Sequence, residues 1–398
     1  MLDDRRLRRR PRRARDQSGV LLVLATSFWA CDAVERRGEV VHPISDSLTA
    51  PPEGAVTLSS AGGPRSMDSA RMIRAFGDRF KRRVTTATIG DVDGPEETTL
   101  ALPWDAAVTP AGEVLILDRI QAVVRAFTVT GDYLYALGGL GEGPGEFQVP
   151  EAVLYSPAGD LIVVDQAQLI HRFGRHGDRF EYRDRGRFEG SAYDACLAGN
   201  QLVLHAMRPG IQPEILYRLL DDPSEEVGFA VPYRYSRPLA YEAVSRGQIA
   251  CASRSADAGG VAVIAYRVRN AIEGYGIADG RRLWHARIDG LQPSEIRERR
   301  EGRAVGTGIF DNEAVHFLSR VAGGNGVPVF VQHRFSVRED VLNRTGRHRI
   351  ETYALDPQTG EGEFWGDSLP PMLAVTEDHA VFSYDNPYPR VEVARIPR

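Results

Sequence analysis

Residues 110–118 read Pro110-Ala-Gly112-Glu-Val-Leu-Ile-Leu-Asp118, and residues 157–165 read Pro157-Ala-Gly159-Asp-Leu-Ile-Val-Val-Asp165. Val124-Arg125-Ala-Phe127 and Gly131-Asp132 follow the first run; His171-Arg172-Phe173 and Gly177-Asp178 follow the second. Gly112 and Gly159 are 47 residues apart, as are Asp118 and Asp165; Phe127 to Phe173 and Gly131 to Gly177 are both 46. A glycine ahead of each apolar run allows the positive φ of a tight hairpin turn. The runs are apolar throughout, as strands must be when both faces are covered. The Asp that follows accepts hydrogen bonds from turn amides and ends the strand. Self-similarity at roughly 40–50 residues, with about four strands per unit, marks the blade of a β-propeller. Such a blade cannot bury its own faces; a closed ring of neighbours does that.

Four weaker units follow. They are Asp194–His205 with Ile215–Arg218; Glu242 through Gly247–Cys251, Val261–Tyr266 and Ala278–Trp284; Ala314–Leu318, Val327–Val331 and Glu351–Gly360; and Met372–Phe382 with Arg390–Val393. The last is one strand short, and Arg83-Val-Thr-Thr-Ala-Thr-Ile89 supplies an outer strand for it. Closure of the N-terminal strand onto the C-terminal unit removes the free edge of an open ring. The reading is all-β: a six-bladed β-propeller over 83–398, with N-to-C strand closure.

Between the two clear units lies Gly139-Leu-Gly141-Glu-Gly143-Pro144-Gly145-Glu146-Phe147, with Pro150 close behind. This string resembles the interblade signature of NHL-type six-bladed β-propellers. Together with Thr88-Ile89-Gly90-Asp91-Val92-Asp93-Gly94 and Asn386-Pro387-Tyr388-Pro389-Arg390, it is similar to exported bacterial lipoproteins described only as six-bladed β-propellers. The resemblance extends over 84–398 in layout and is specific over about 84–185. It implies a fold, because that group shares no established activity.

The N-terminus reads as an address. Residues 1–17 hold eight arginines and three aspartates, and Gly19–Ala30 is an apolar run of 12 residues ending at Cys31. A bilayer-spanning helix needs roughly 20 apolar residues, so this run fits an export signal instead. Cys31 after Ala30 resembles a lipobox, although Phe28 and Trp29 depart from the usual pattern; lipidation of Cys31 is the expectation. The competing reading is an overextended start followed by a buried strand. Residues 32–82, with Ala50-Pro51-Pro52-Glu53-Gly54 and Ser59–Pro64, read as a flexible tether. The expected location is the periplasm or outer membrane of a bacterium.

Composition narrows the function. Of 398 residues, 42 % are hydrophobic and 26 % charged, which excludes both a disordered polymer and a multispanning membrane protein. Forty glycines and 24 prolines suit a turn-rich β fold. The net charge is −5 and becomes more negative without the basic leader, so nucleic acid is not the expected partner. Lys81 is the only lysine, which leaves no plausible Schiff-base chemistry. Cys196 and Cys251 read as two buried free thiols, with a disulfide between them as the alternative.

Catalytic signatures fail one by one. No GxSxG, HExxH or CxxC occurs, the Gly-rich segment lacks the Gly-Lys-Ser/Thr of a phosphate loop, and Asp91–Gly94 is too short for an EF-hand. His171 and His176 read as turn histidines rather than a metal pair. One constellation carries chemistry: Asp105, Glu151, Asp194 and Glu242 fall near the start of the innermost strand in four successive units. Carboxylates there would face the central channel, where they are candidate ligands for Ca²⁺. The repeat alignment, however, sets Trp104 rather than Asp105 opposite Glu151. The leading expectation is a non-enzymatic, monomeric binding or scaffold protein with no cofactor. A protein, peptide or glycan partner would sit on the loops of one face. The alternative is a Ca²⁺-dependent hydrolase or lyase.

Overall fold

The computed structural model describes residues 39–40, 55–208, 215–219, 226–230, 245–254, 259–291, 295–301, 304–310, 314–337, 339–340, 343 and 347–398. Six four-stranded antiparallel units follow one another along the chain. Blade 1 comprises Pro103–Val108, Glu113–Asp118, Val123–Thr128 and Tyr133–Gly138; blade 2 comprises Pro150–Tyr155, Leu161–Asp165, Leu169–His176 and Arg179–Arg187. Blade 3 begins at Ser191–Ala198, blade 4 at Gly247–Ala252, blade 5 at Ala314–Ala322 and blade 6 at Met372–Val375. Each innermost strand lies against the next, and the sixth meets the first, which closes the ring. In blade 6, Arg390–Arg395 pairs with Val84–Ile89, the N-to-C closure expected from the sequence.

The hydrophobic core is distributed between blades. In blade 1, Val114 and Ile116 pack towards blade 6, whereas Leu115 and Leu117 pack towards blade 2. In blade 2, Leu161 and Val163 meet blade 1, and Ile162 and Val164 meet blade 3. Side chains alternate across a strand, so a run buried on both sides must be apolar at every position. At roughly 1.5–3 kcal/mol per fully buried aliphatic side chain, these interfaces supply the main stabilisation. Gly112 and Gly159 adopt φ of 81° and 90° at the expected hairpin turns. Asp118 accepts from Gln121 N, and Asp165 from Ala167 N, again as read. Both carboxylates also hold the chain entering their own blade, through Ala101 N and Gln148 N respectively.

Phe147 explains the glycine-rich interblade string. Its buried ring stands edge-on to His171 and Phe173, with centroids 5.0 and 6.0 Å away. Gly138, at φ 93°, lies so close that a Cβ there would be 2.2 Å from the ring. The Glu146 carboxylate accepts from Gly143 N at 2.8 Å and fastens the loop. The string is a plug with a turn, not a ligand cradle.

The expected tether over 32–82 is corrected in its second half. Val56–Leu58 adds a fifth, parallel strand to blade 4 beside Arg282–Ile288. A 14-residue helix, Met67–Phe80, docks on blades 5 and 6. Ile73, Phe76 and Phe80 recur at helical spacing and bury one face against Phe330, Phe382 and Trp365. Ser66 caps the helix by accepting from Ser69 N, and Ser69 Oγ donates to the buried Asp356 at 2.7 Å. Apart from Glu39–Val40, which pairs with the extra hairpin Glu295–Phe310, the chain before residue 55, including Cys31, lies outside the described residues. No helix among the described residues is long and apolar enough to cross a membrane.

Cys196 and Cys251 are bonded, so the disulfide replaces the expected free thiols. Both lie on innermost strands, and neighbouring blades 3 and 4 bring their Cα atoms to 5.3 Å. Closing a loop of 55 residues is worth about 4 kcal/mol in chain-entropy terms.

Two substitutions test this packing. Phe80→Ala is expected to cost about 3–5 kcal/mol in denaturant unfolding, because it hollows the helix–blade contact. Gly138→Ala is expected to cost about 2–4 kcal/mol through backbone strain and displacement of the Phe147 ring. An unchanged unfolding midpoint for Phe80→Ala would return the helix to the status of a tether.

Candidate functional site

The innermost strands share one irregularity. In blades 1, 2, 3, 5 and 6 the pairing with the second strand slips by one residue, near the strand start in blades 1, 2, 3 and 6 and just past the middle of Ala314–Ala322 in blade 5. The inserted residues are Trp104, Glu151, Tyr193, Ser319 and Leu373. A bulge re-aims side chains next to it, and here it does so around the channel. One step further along stand Asp105, Asp194 and Arg320, in alternate blades 1, 3 and 5. The structure therefore upholds the register that sets Trp104, not Asp105, opposite Glu151.

Asp105, Glu151 and Asp194 all line the central channel, a cavity of about 260 Å³. Glu242 lies outside the described residues. Asp105 Oδ1 accepts from Ala106 N at 2.9 Å, and its Oδ2 accepts from Val153 N of blade 2 at 2.8 Å. Asp194 repeats the pattern with Ala195 N and with Ile249 N of blade 4, both at 2.8 Å. These two carboxylates clasp the next blade. His205 and Gln332, on second strands, do the same by accepting from Gly247 N and Met372 N. Glu151 is paired with Arg119. Among the described residues no three His, Cys, Asp or Glu side chains are grouped to hold a metal ion. As they stand, backbone amides engage two of the three described carboxylates, and a guanidinium engages the third.

Burial dominates the titration of this ring. It pushes Asp105 up to about 6 against the pull of its two amide donors and Arg320. Asp194 is also raised well above its ordinary value, by burial and then by the Asp105 charge. Glu151 rises to about 8 because burial outweighs the attraction of Arg119 and Arg246, with Asp165 adding to the rise.

Arginines dominate the rim above these carboxylates. Arg119 follows Asp118 in the turn between the second and third strands of blade 1, and Arg267 follows Tyr266 in the same turn of blade 4. Arg246 stands at the entrance of the innermost strand of blade 4, Arg320 lies after the bulge within the innermost strand of blade 5, and Arg334 lies on the second strand of blade 5. Antiparallel alternation brings all five to one face of the ring. Arg119 and Arg320 lie over the Trp104 ring at 4.5 and 4.9 Å, and Arg320 also donates to Trp104 O at 2.7 Å. Arg246 lies over Tyr193 at 4.6 Å and Arg267 over Phe317 at 5.2 Å. The pKa of Arg267 is lowered by desolvation and then by repulsion from Arg246, Arg119, Arg334 and Arg320. Sequence reasoning aimed at carboxylates and missed this cluster. Its one legible signal was the place of Arg119 directly after the strand-ending Asp of a clear repeat.

Glu151 gives a pH test with a definite sign. Folded Glu151 keeps its proton up to about 8, whereas an unfolded Glu releases it near its ordinary value of about 4.3. Its contribution to stability is therefore full at low pH and falls as pH rises through that window. Glu151→Gln keeps the shape without the titration. Urea unfolding at about pH 5 and 8 is expected to show a smaller pH-dependent loss in the variant than in the parent.

Comparison with known proteins places the fold. No family model and no curated protein sequence matches the chain. Among solved structures, a member of the DUF4221 family from Bacteroides vulgatus aligns with TM-score 0.50 and 8% identity, covering 79% of this chain and 97% of its own. A Bacteroides fragilis protein assigned as exported aligns with TM-score 0.49 and 9% identity over 86% of this chain and all of its own. Virginiamycin B lyase from Staphylococcus aureus aligns with TM-score 0.42 and 11% identity over 78% of this chain and 99% of its own. At these identities the likeness is one of fold, and the chain shares the six-bladed β-propeller architecture.

Proposed function

We infer that the protein is a non-enzymatic binding propeller, exported across a bacterial membrane, which receives a ligand or partner on the channel-mouth face. The observation that carries this reading is the asymmetry between the two faces. The mouth face bears five arginines, four of them laid over aromatic rings, and also Val92, Ile120 and Leu140, which are 61%, 62% and 75% exposed. Those three sit on the 90–102, 119–122 and 139–149 connections, all on that face of blade 1. The opposite face of blades 1 and 2 is closed by tight turns at Gly112, Gly131, Gly159 and Gly177. Exposed apolar groups beside guanidiniums laid over aromatic rings are a common composition for recognition surfaces.

Export rests on the basic leader and the short apolar run ending at Cys31, and the Cys196–Cys251 disulfide suits an oxidising compartment. Anchoring through a lipid on Cys31, in the periplasm or on the outer membrane, is the form of that reading the sequence favours. The mass of the mature N-terminus tests it directly.

The face assignment predicts a one-sided loss. The full chain, immobilised and exposed to a native envelope fraction, is expected to retain its ligand or partner about tenfold less well when Val92, Ile120 and Leu140 are all replaced by Ser. Leu134→Ser with Leu283→Ser, near the other face, is expected to leave retention unchanged. The reverse pattern would refute the reading. For a binding module without a channel metal, excess Ca²⁺ is expected to leave the thermal midpoint where it was, whereas a resident site would raise it by mass action.

A further inference from the structure

The arginine cluster narrows what the mouth receives. Stacking a guanidinium on an aromatic ring uses its flat face and leaves its edge N–H donors available for paired contact with carboxylate or phosphate oxygens. Arg119 and Arg320 share the Trp104 ring in this way, and Arg246 and Arg267 use Tyr193 and Phe317. The acids near the mouth do not balance the cluster. Glu151 is taken by Arg119, while Asp105 and Asp194 face backbone amides. Asp385 attracts Arg320 and Arg334, yet neither Arg267 nor Arg334 makes an ion pair with a carboxylate among the described residues. Arg267 lies over Phe317, and Arg334 is the residue paired with Phe317 on the neighbouring strand, so the two unmatched guanidiniums flank one ring. Arg267 is repelled by Arg334 and by the other three, and in this positive focus Arg320 lines the cavity of about 260 Å³ together with Trp104. The rest of the protein is acidic overall, so this focus is local.

We propose that the channel mouth is a receptor site for a small solute carrying two or more oxyanion groups, held by Arg267 and Arg334 with its body against Trp104. This deepens the binding-face reading and rests on it. A cavity of this size admits a small molecule rather than a folded domain. The charged groups that it calls for are carboxylates or phosphates, either of which matches the guanidinium edge.

The test is calorimetric titration of the full chain with citrate and, separately, pyrophosphate, at about 0.15 M salt so that nonspecific attraction is screened. At least one is expected to bind with 1:1 stoichiometry and a dissociation constant below about 1 mM. Saturation by citrate alone assigns a polycarboxylate, by pyrophosphate alone a phosphate, and by both the oxyanion count. Arg267→Gln and Arg334→Gln are each expected to weaken binding about tenfold or more, the loss expected for one charge-assisted hydrogen bond. Arg281→Gln, in a turn on the opposite face, serves as the matched loss of charge and is expected to change nothing. Trp104 fluorescence supplies a second readout, since ligand contact with that ring alters its emission and Trp104→Phe abolishes the change. Circular dichroism melting checks that each variant is folded. No saturable binding of either anion up to about 10 mM, or equal binding by the parent and both Arg267→Gln and Arg334→Gln, overturns the proposal. If the apolar-rim variant still loses its envelope ligand in that event, the face assignment stands and only the oxyanion class falls.

Discussion

Each blade in this protein is apolar on both sides, and its second strand is covered chiefly by the neighbouring blades. Six interfaces, each filled by alternate residues of two neighbouring blades, make up the core. Removal of any blade would expose two of them. Stability is therefore a property of the closed circle, and the strand Val84–Ile89 that seals blade 6 matters beyond its six residues. The Cys196–Cys251 bond, the amide clasps of Asp105 and Asp194, and the docked helix add restraints between blades that the apolar packing has already brought together.

Closure also creates the site. Six innermost strands that converge on one axis bring their first residues close together although they are up to hundreds of positions apart in sequence. Arg320, on blade 5, reaches past blade 6 to the carbonyl and ring of Trp104 on blade 1, 216 residues away. Bulges in the innermost strands turn side chains towards the axis, so small differences between repeats become differences in channel chemistry. Asp, Asp and Arg at one register in alternate blades illustrate this, with Ala152, Gln248 and Ala374 between them. Two of the three serve the scaffold, and the third belongs to the arginine rim.

Buried polar networks elsewhere behave differently. Glu273 in blade 4 accepts from Tyr266, Tyr275, Arg282 and His285, and these partners hold its carboxyl down to about 2 although burial opposes them. All four of these partners come from the same blade. The channel carboxylates have fewer compensating donors and rise instead. The contrast separates a closed structural network from a ring facing an open cavity.

The sequence by itself determined the blade count, the strand runs of blades 1 and 2, the hairpin glycines and the closing strand, because each depends on local spacing and on covering both faces of a sheet. It did not reveal the helix at 67–80, whose apolar stripe of Ile73, Phe76 and Phe80 is short and lies among breakers and charges. The docking surface formed by Phe330, Trp365 and Phe382 gives that stripe its meaning. Cys196 and Cys251 were legible as residues but not as a pair, since bonding depended on two innermost strands meeting across an interface. Asp105, Glu151 and Asp194 do line the channel, but their work was not visible: whether a carboxylate holds a cation or a neighbour's amide depends on atoms that only the folded ring assembles. The arginine rim came from the folded ring alone, because its members lie in turns, before a strand and within strands of three blades whose shared axis has no trace in local sequence.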